Sequence, residues 1–286
     1  MRTAFIKTLI ELAEDNNTYL LTNDLGFSVL EGFAEKFPDK FFNMGVAEAN
    51  IIGVAAGLAL SGKKVYVYSI TPFITMRCFE QIRNDLCMQN LDVKVIGIGA
   101  GLCYGSSGPT HHSIIDIAIM RALPNMTVIC PGDPKETEGA VRYAHSHKGP
   151  VYLRLGKAKE PDVHNKPFDK SITLREGDVA VIATGNILAT AKEVAERLNI
   201  GLISMPVIKP IDKEAILKLK TIYTIEEHSL IGGLGSAVAE IIAGKNISFK
   251  MFGIKDQFTK EAGSQEYLRE KNGLTAEQII KEINEG

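Results

Sequence analysis

One carboxyl, Glu48, stands at the start of the most apolar run of the 286-residue chain. The run opens Gly45-Val46-Ala47-Glu48, carries glycines at Gly53 and Gly57, and has no further charge before Lys63. In a first helical turn such a carboxylate interacts favourably with the helix dipole. On an otherwise buried helix it is instead desolvated, which weakens its acidity and suits it to hold or share a proton. A second group is the loop of Gly97, Gly99, Gly101, Gly105 and Gly108 that ends in Pro109-Thr110-His111-His112. Its histidines either tie up loop carbonyls or donate hydrogen bonds and protons to a ligand. Gly97-x-Gly99-x-Gly101 with Asp116 further on is a weak match to a dinucleotide fingerprint, because no helix starts inside the triplet. Third, Ser69 to Gln81 holds Phe73, Arg77 and Phe79. Its aromatics are either core or a flat face for a planar ligand. Fourth, Glu226-Glu227-His228 precedes Gly232-Gly233-Leu234-Gly235-Ser236. This glycine turn lacks the lysine of a phosphate loop and reads as structural. His145 and His147 fall where they could offer cations to a helix C-terminus.

The elements that must position these residues alternate. Helical spacing covers 4–15, 27–36, 47–60, 74–90, a stretch near 113–122, and 134–147. Between them lie strands at Tyr19–Thr22, Phe41–Met44, Lys64–Ser69, Val93–Ile98, 126–130 and Val151–Leu155. The run from Ala47 to Leu60 is apolar nearly all round and predicts a buried helix. Residues 157–175, with Lys157, Lys159, Pro161 and Pro167, break the rhythm and read as a linker. A second unit follows, with strands at Asp178–Thr184, Ile200–Met205, Thr221–Ile225 and Ile247–Phe252. Its helices are predicted at 187–198, 212–219, 234–243 and 275–284. The expected fold is α/β in two domains, 1–156 and 176–286, each a mostly parallel sheet flanked by helices.

Composition sets the outer bounds. Lysine plus arginine number 32 against 34 aspartate plus glutamate, a net charge of −2. That balance argues against a nucleic-acid binder, whose footprint would be basic. No stretch approaches the uncharged length of a membrane span. The amphipathic start, interrupted by Lys7, Glu11 and Glu14, does not read as a signal peptide. Cys78, Cys87, Cys103 and Cys130 lack C-x-x-C spacing and read as reduced, mostly buried thiols of a cytoplasmic protein.

Taken in order and spacing, these segments resemble the C-terminal half of the transketolase family of thiamine-diphosphate enzymes. That family extends to 1-deoxyxylulose-5-phosphate synthase and, more distantly, the pyruvate dehydrogenase beta subunit. Three motifs carry the resemblance over essentially the whole chain: the Gly45 to Gly57 run, Gly108-Pro109-Thr110-His111, and Glu226 to Ser236. It implies a pyrimidine-binding domain followed by the family's C-terminal domain. Glu48 then matches the glutamate that holds a proton on the ring nitrogen of the cofactor's aminopyrimidine. Asp24 and Val46 fall at the cofactor-binding edge. Phe73 is the preferred aromatic against the pyrimidine; Arg77 and Phe79 remain alternatives, because this segment is one residue longer than the family pattern. His111 matches the histidine that contacts the sugar's oxygens. Lys157 stands where transketolases usually place an arginine for the substrate phosphate.

Departures from the pattern put a standard sugar phosphate in doubt. Ser107 replaces the usual aspartate before Gly108, and Gly99 replaces a phosphate-contacting histidine. A hydroxyl in place of a carboxylate removes a charge-assisted hydrogen bond, about 1.5–3 kcal/mol. The family's Gly-Asp-Gly…Asn motif, which holds the diphosphate through a divalent metal, has no match in this sequence. The resemblance therefore implies one subunit of a split enzyme that moves a two-carbon ketol unit between sugars or sugar phosphates. An N-terminal partner subunit would carry the diphosphate site and its Mg²⁺ or Ca²⁺, in an α2β2 heterotetramer that also involves self-association. Two alternatives remain open. One is a subunit resembling 1-deoxyxylulose-5-phosphate synthase; the other is a non-catalytic regulatory or scaffold subunit.

Overall fold

Runs without a polar side make the central strands. Every residue of Val93–Ile98 is buried, as are the five between Lys64 and Ile70, the mark of strands covered on both faces. The structure is a computed structural model that describes residues 1–15, 17–157 and 160–285. Lys159, assigned to the linker by sequence, lies outside the described residues.

The first sheet is fed by α1 (Arg2–Leu12), β1 (Thr18–Thr22), α2 (Glu31–Lys36), β2 (Phe41–Asn43), α3 (Glu48–Leu60) and β3 (Lys64–Ile70). The short α4 (Phe79–Gln81), β4 (Val93–Ile98), α5 (Asp116–Ala122), β5 (Thr127–Ile129), α6 (Pro134–Ser146) and β6 (Val151–Leu155) continue it. The second half contributes β7 (Ile172–Arg175), β8 (Val179–Thr184), α7 (Leu188–Leu198), β9 (Gly201–Ser204), β10 (Val207–Lys209) and α8 (Lys213–Leu217). It closes with β11 (Thr221–Ser229), α9 (Leu234–Ile242), β12 (Ser248–Ile254), α10 (Gln265–Lys271) and α11 (Ala276–Glu285).

The first sheet runs β10-β5-β6-β4-β3-β1-β2 and the second β12-β11-β8-β9-β7. Pairings are parallel except at two edges, where β10 meets β5 and β7 meets β9. The chain is thus α/β, with two mostly parallel sheets between helices. A shared apolar core joins Val95, Val128 and Cys130 of the first sheet to Ile182, Met205 and Leu234 of the second half. No helix among the described residues is long and apolar enough to cross a membrane.

Four local expectations are corrected. The helix expected over 74–90 is broken: π-helical turns at Phe73–Arg77 and Ile82–Cys87 flank α4. The helix α3 is not buried all round. Ile51, Ile52, Ala55 and Ala56 face the core, while Ala49, Asn50, Gly53, Gly57 and Leu60 are exposed. The stretch read as a linker ends in β7, an edge strand of the second sheet. Strand β10 and helix α10 were not foreseen. At three residues between Pro206 and Pro210, β10 is too short to show a period; its antiparallel pairing with β5 makes it a strand. At the C-terminal end of α6, which holds His145 in its last turn, lysines also supply cations to the backbone carbonyls. Lys94 donates to the carbonyls of His147 and Gly149, both at 2.8 Å, and Lys64 donates to that of His145.

Candidate active site

Because β1, β2, β3, β4 and β6 are parallel, the segments that leave their carboxyl ends meet at one edge of the sheet. Those segments carry Asp24, Glu48, Phe73 to Arg77, the Gly99–His112 loop and Lys157 in turn. This is the edge where open α/β sheets bind ligands.

Glu48 is the first residue of α3 and is 6% exposed. Arg77 Nη1 donates to its Oε1 at 3.1 Å, while no hydrogen bond from the described residues reaches Oε2. One oxygen of a nearly buried carboxyl is thus held in place and the other left to a ligand. The Arg77 guanidinium lies 4.2 Å from the centroid of the Phe73 ring, a cation–π contact. Phe73 in turn meets His111 edge-on, with ring centroids 5.0 Å apart. Thr110 Oγ1 lies 3.0 Å from His111 Nδ1. Tyr104 lies 6.3 Å from His111, centroid to centroid, and Lys157 Nζ stands 4.6 Å from the Tyr104 ring centre. Glu48, Arg77, Phe73, His111, Tyr104 and Lys157 therefore form one continuous track, acid at one end and cation at the other.

The π-helical turn explains how Phe73 and Arg77 reach this track. A π turn absorbs one extra residue without ending the helix, and such insertions occur frequently at functional sites. Phe73–Arg77 is such a turn, in the segment that is one residue longer than the pattern of the family it resembles.

Other expected residues stand apart from the track. Ser107 is exposed on the short turn Gly105–Ser107, before Pro109 to His111. Asp24 has φ +50°, and its Oδ1 accepts from Asn43 Nδ2 at 2.9 Å. Asn43 Oδ1 accepts from the backbone N–H groups of Asp24 and Gly45, so Asp24 is tied to the entry of α3. Val46 is 72% exposed on that entry. Phe79 is half-buried against the hydrophobic core and makes no ring contact with the track. Tyr104 was missed by sequence reasoning. The available signal was Gly99, at φ +88°, where an added Cβ would lie 2.1 Å from the Tyr104 ring. The tyrosine fills the space that a side chain at position 99 would take.

Two lookalike motifs resolve as structural. Asp116 is fully buried, accepting from Arg154 Nε at 2.7 Å and Tyr152 Oη at 2.6 Å. Burial works against its charged form, but Arg154 holds the carboxyl below its ordinary range. At the Gly232-Gly233 turn the N–H groups of Leu234 and Gly235 are taken by Glu226, at 2.7 and 2.8 Å, leaving no anion nest. Cys78, near Glu48, is no nucleophile: burial, with Glu48 adding to it, pushes its thiol up to about 12.

The concavities around Arg121 and Glu240 and around Gln257 to Asn272 contain neither Glu48 nor His111. Glu48, His111 and Lys157 lie instead along the track at the sheet edge. Fold and site together define an α/β protein that presents an open wall of acidic, aromatic and cationic groups at one sheet edge.

The chain belongs to the transketolase family. Residues 1–161 match the transketolase pyrimidine binding domain and residues 170–279 the transketolase C-terminal domain. It is 39% identical over 303 residues to a 6-deoxy-6-sulfo-D-fructose transketolase subunit of Clostridium sp. (strain MSTE9), covering 100% of this chain and 94% of that one. It is 36% identical to an apulose-4-phosphate transketolase subunit of Phocaeicola vulgatus, over 98% of this chain and 97% of that one. Among solved structures, a split gene transketolase described as an inactive beta4 tetramer superposes with a TM-score of 0.90. The two are 38% identical, with 99% of this chain and 97% of that one covered.

Proposed function

We infer that this chain is the C-terminal subunit of a thiamine-diphosphate-dependent transketolase that moves a two-carbon ketol unit between sugars or sugar phosphates. The observation that carries the reading is the continuous track from Glu48 through Phe73 and His111 to Lys157. The residues fit the cofactor's aminopyrimidine: a nearly buried carboxyl with one oxygen unbonded stands beside an arginine-backed aromatic ring. When bound, thiamine diphosphate supplies the nucleophilic carbon that carries the two-carbon unit.

Glu48 offers its unbonded oxygen to the pyrimidine ring nitrogen and shares the proton there. Arg77 fixes the oxygen that Glu48 does not use. Phe73 supplies an apolar face, and Asp24 and Val46 border the same edge. His111, beside Thr110, donates to substrate oxygens or moves a proton there. Ser107 offers a hydroxyl beside it. Lys157 attracts an anionic substrate end as a point charge, without the two-pronged grip of arginine.

The wall is open because a partner closes it. Phe27 and Val46 are 76% and 72% exposed beside Asp24 and Glu48. In this reading an N-terminal subunit covers that edge and brings the diphosphate site with its Mg²⁺ or Ca²⁺, in an α2β2 assembly. Relatives of matching length that are themselves named as transketolase subunits support a divided enzyme. The test co-expresses the two subunits and assays the complex with phosphorylated and free ketoses. Glu48→Gln is expected to abolish turnover while the complex still assembles; a fully active variant overturns the assignment. Pyruvate consumption without ketol transfer would establish the decarboxylating alternative instead.

A further inference from the structure

The loop that carries Ser107 and His111 belongs by sequence to the first domain, yet the second domain determines its shape. Its two ends are tied together: Ser113 N donates to Gly101 O at 2.7 Å. The C-terminal end then rests on the last residues of β11. Ser229 N donates to Ile114 O at 2.8 Å, and Arg154 Nη2 bridges Ser113 O and Glu227 O at 2.8 and 3.1 Å. At the centre of this contact is the carboxylate of Glu227, with no exposed side-chain surface. Its Oε1 accepts from Leu102 N at 2.6 Å, inside the loop. Gln265 Nε2 donates to both of its oxygens, at 2.8 and 3.1 Å, and Arg269 Nε pairs with Oε2. Arg269 Nη2 also reaches Asn186 O at 3.0 Å.

The loop is cut to fit this carboxylate. Gly101 has φ +61°, and a Cβ there would lie 2.3 Å from Glu227 Oε1. Further along, a Cβ on Gly105 would lie 2.5 Å from Leu268 of α10 and 2.6 Å from Gly263 O. Gly263 N donates to Gly105 O at 3.2 Å. Within the loop itself, the buried His112 ring faces the backbone of Gly105. A backbone N–H bonded to a buried, arginine-paired carboxylate is a strong directional tie.

We propose that Glu227 is a positioning residue for ketol transfer: from the C-terminal domain it fixes the Gly101–Ser113 loop, and through it the place of the His111 ring. The proposal rests on the functional reading above. It gives the C-terminal domain a part in catalysis although Glu227 lies behind the loop.

The test uses Glu227→Gln in the assembled complex. Glutamine can still accept from Leu102 N but loses its charge toward Arg269. Displacement of a catalytic group by about 1 Å costs on the order of 100-fold, so kcat/KM for the ketose is expected to fall about 10- to 100-fold. Thiamine diphosphate affinity should not change. In a His111→Ala background the same substitution should add no further loss, because both changes act through one group. Amide exchange should quicken at Leu102 and Ser113 and stay constant in β4 and β6. If Glu227→Gln fails to fold, Gln265→Leu, on the rim of the cluster, should show the same pattern with a smaller fall. Unchanged loop exchange overturns the proposal, as does undiminished turnover, full additivity with His111→Ala or an equal loss of cofactor affinity. An unsubstituted complex with no ketol transfer removes the functional reading and this proposal with it, before any variant is made.

Discussion

At Glu48 the surroundings do more than the residue type. A glutamate in a first helical turn is ordinary; here the carboxyl is 6% exposed and held at one oxygen only. Arg77 is half-exposed, so its pairing with Glu48 serves orientation more than stability, in keeping with the small worth of solvent-exposed pairs. Phe73 sits between that arginine and His111, so the three side chains order one another. His111→Ala in the assembled enzyme is expected to lower kcat/KM for the ketose by about 100-fold or more, in the usual range for a lost acid–base group, with cofactor affinity retained. Steady-state kinetics with a cofactor titration checks it; an equal collapse of both would assign His111 to the cofactor. The sequence singles out Glu48 and His111 because each stands out against its neighbours, a charge in an apolar run and a histidine after a glycine loop. It does not single out Tyr104, because only the folded loop brings its ring over Gly99 and beside Lys157.

Elements hold these side chains in ways that periodicity reads unevenly. Long strands such as Val93–Ile98 and amphipathic helices such as α6 were plain from pattern. The π turn at Phe73–Arg77 was not, since one inserted residue leaves the apolar spacing almost helical. The strand inside the expected linker was missed because β7 is a short edge strand flanked by charges. The connector before it is pinned to α6. Asp133 caps α6 through Glu136 N at 2.7 Å and also accepts from the backbone N–H groups of Val163 and His164. His164 Nε2 lies 2.8 Å from Glu136 Oε1. The hydrogen bond to Glu136 raises the His164 pKa above the ordinary 6.5, against the pull of burial. A raised histidine contributes stability that is fully present below its unfolded value and is lost as pH climbs through the folded one. His164→Gln is therefore expected to lose more stability relative to the parent at about pH 5.5 than at about pH 9. Urea unfolding at both values measures it; a loss equal at both would mean that His164 is neutral in the folded protein.

Across the whole molecule the two sheets are not independent. Strand β10 leaves the second half of the chain to edge the first sheet, and the Asp116–Arg154 pair lies buried where β11 meets the first domain. Removing one member of such a pair leaves a charge unpaired, so Arg154→Met is expected to destabilise the chain by about 3–5 kcal/mol. Denaturant unfolding checks this, and a near-neutral effect would mean that Asp116 takes up a proton at little cost. The same rigid frame leaves one edge open, where Phe27 and Val46 face outward beside Asp24 and Glu48. An enzyme divided between two chains accounts for both the apolar edge and the half-walled site. The direct measurement is thiamine diphosphate binding and ketol transfer by this chain alone and after mixing with an N-terminal transketolase subunit. The account predicts neither tight binding nor turnover by the isolated chain, and both in the complex. Tight, metal-dependent cofactor binding with turnover by the isolated chain would contradict it.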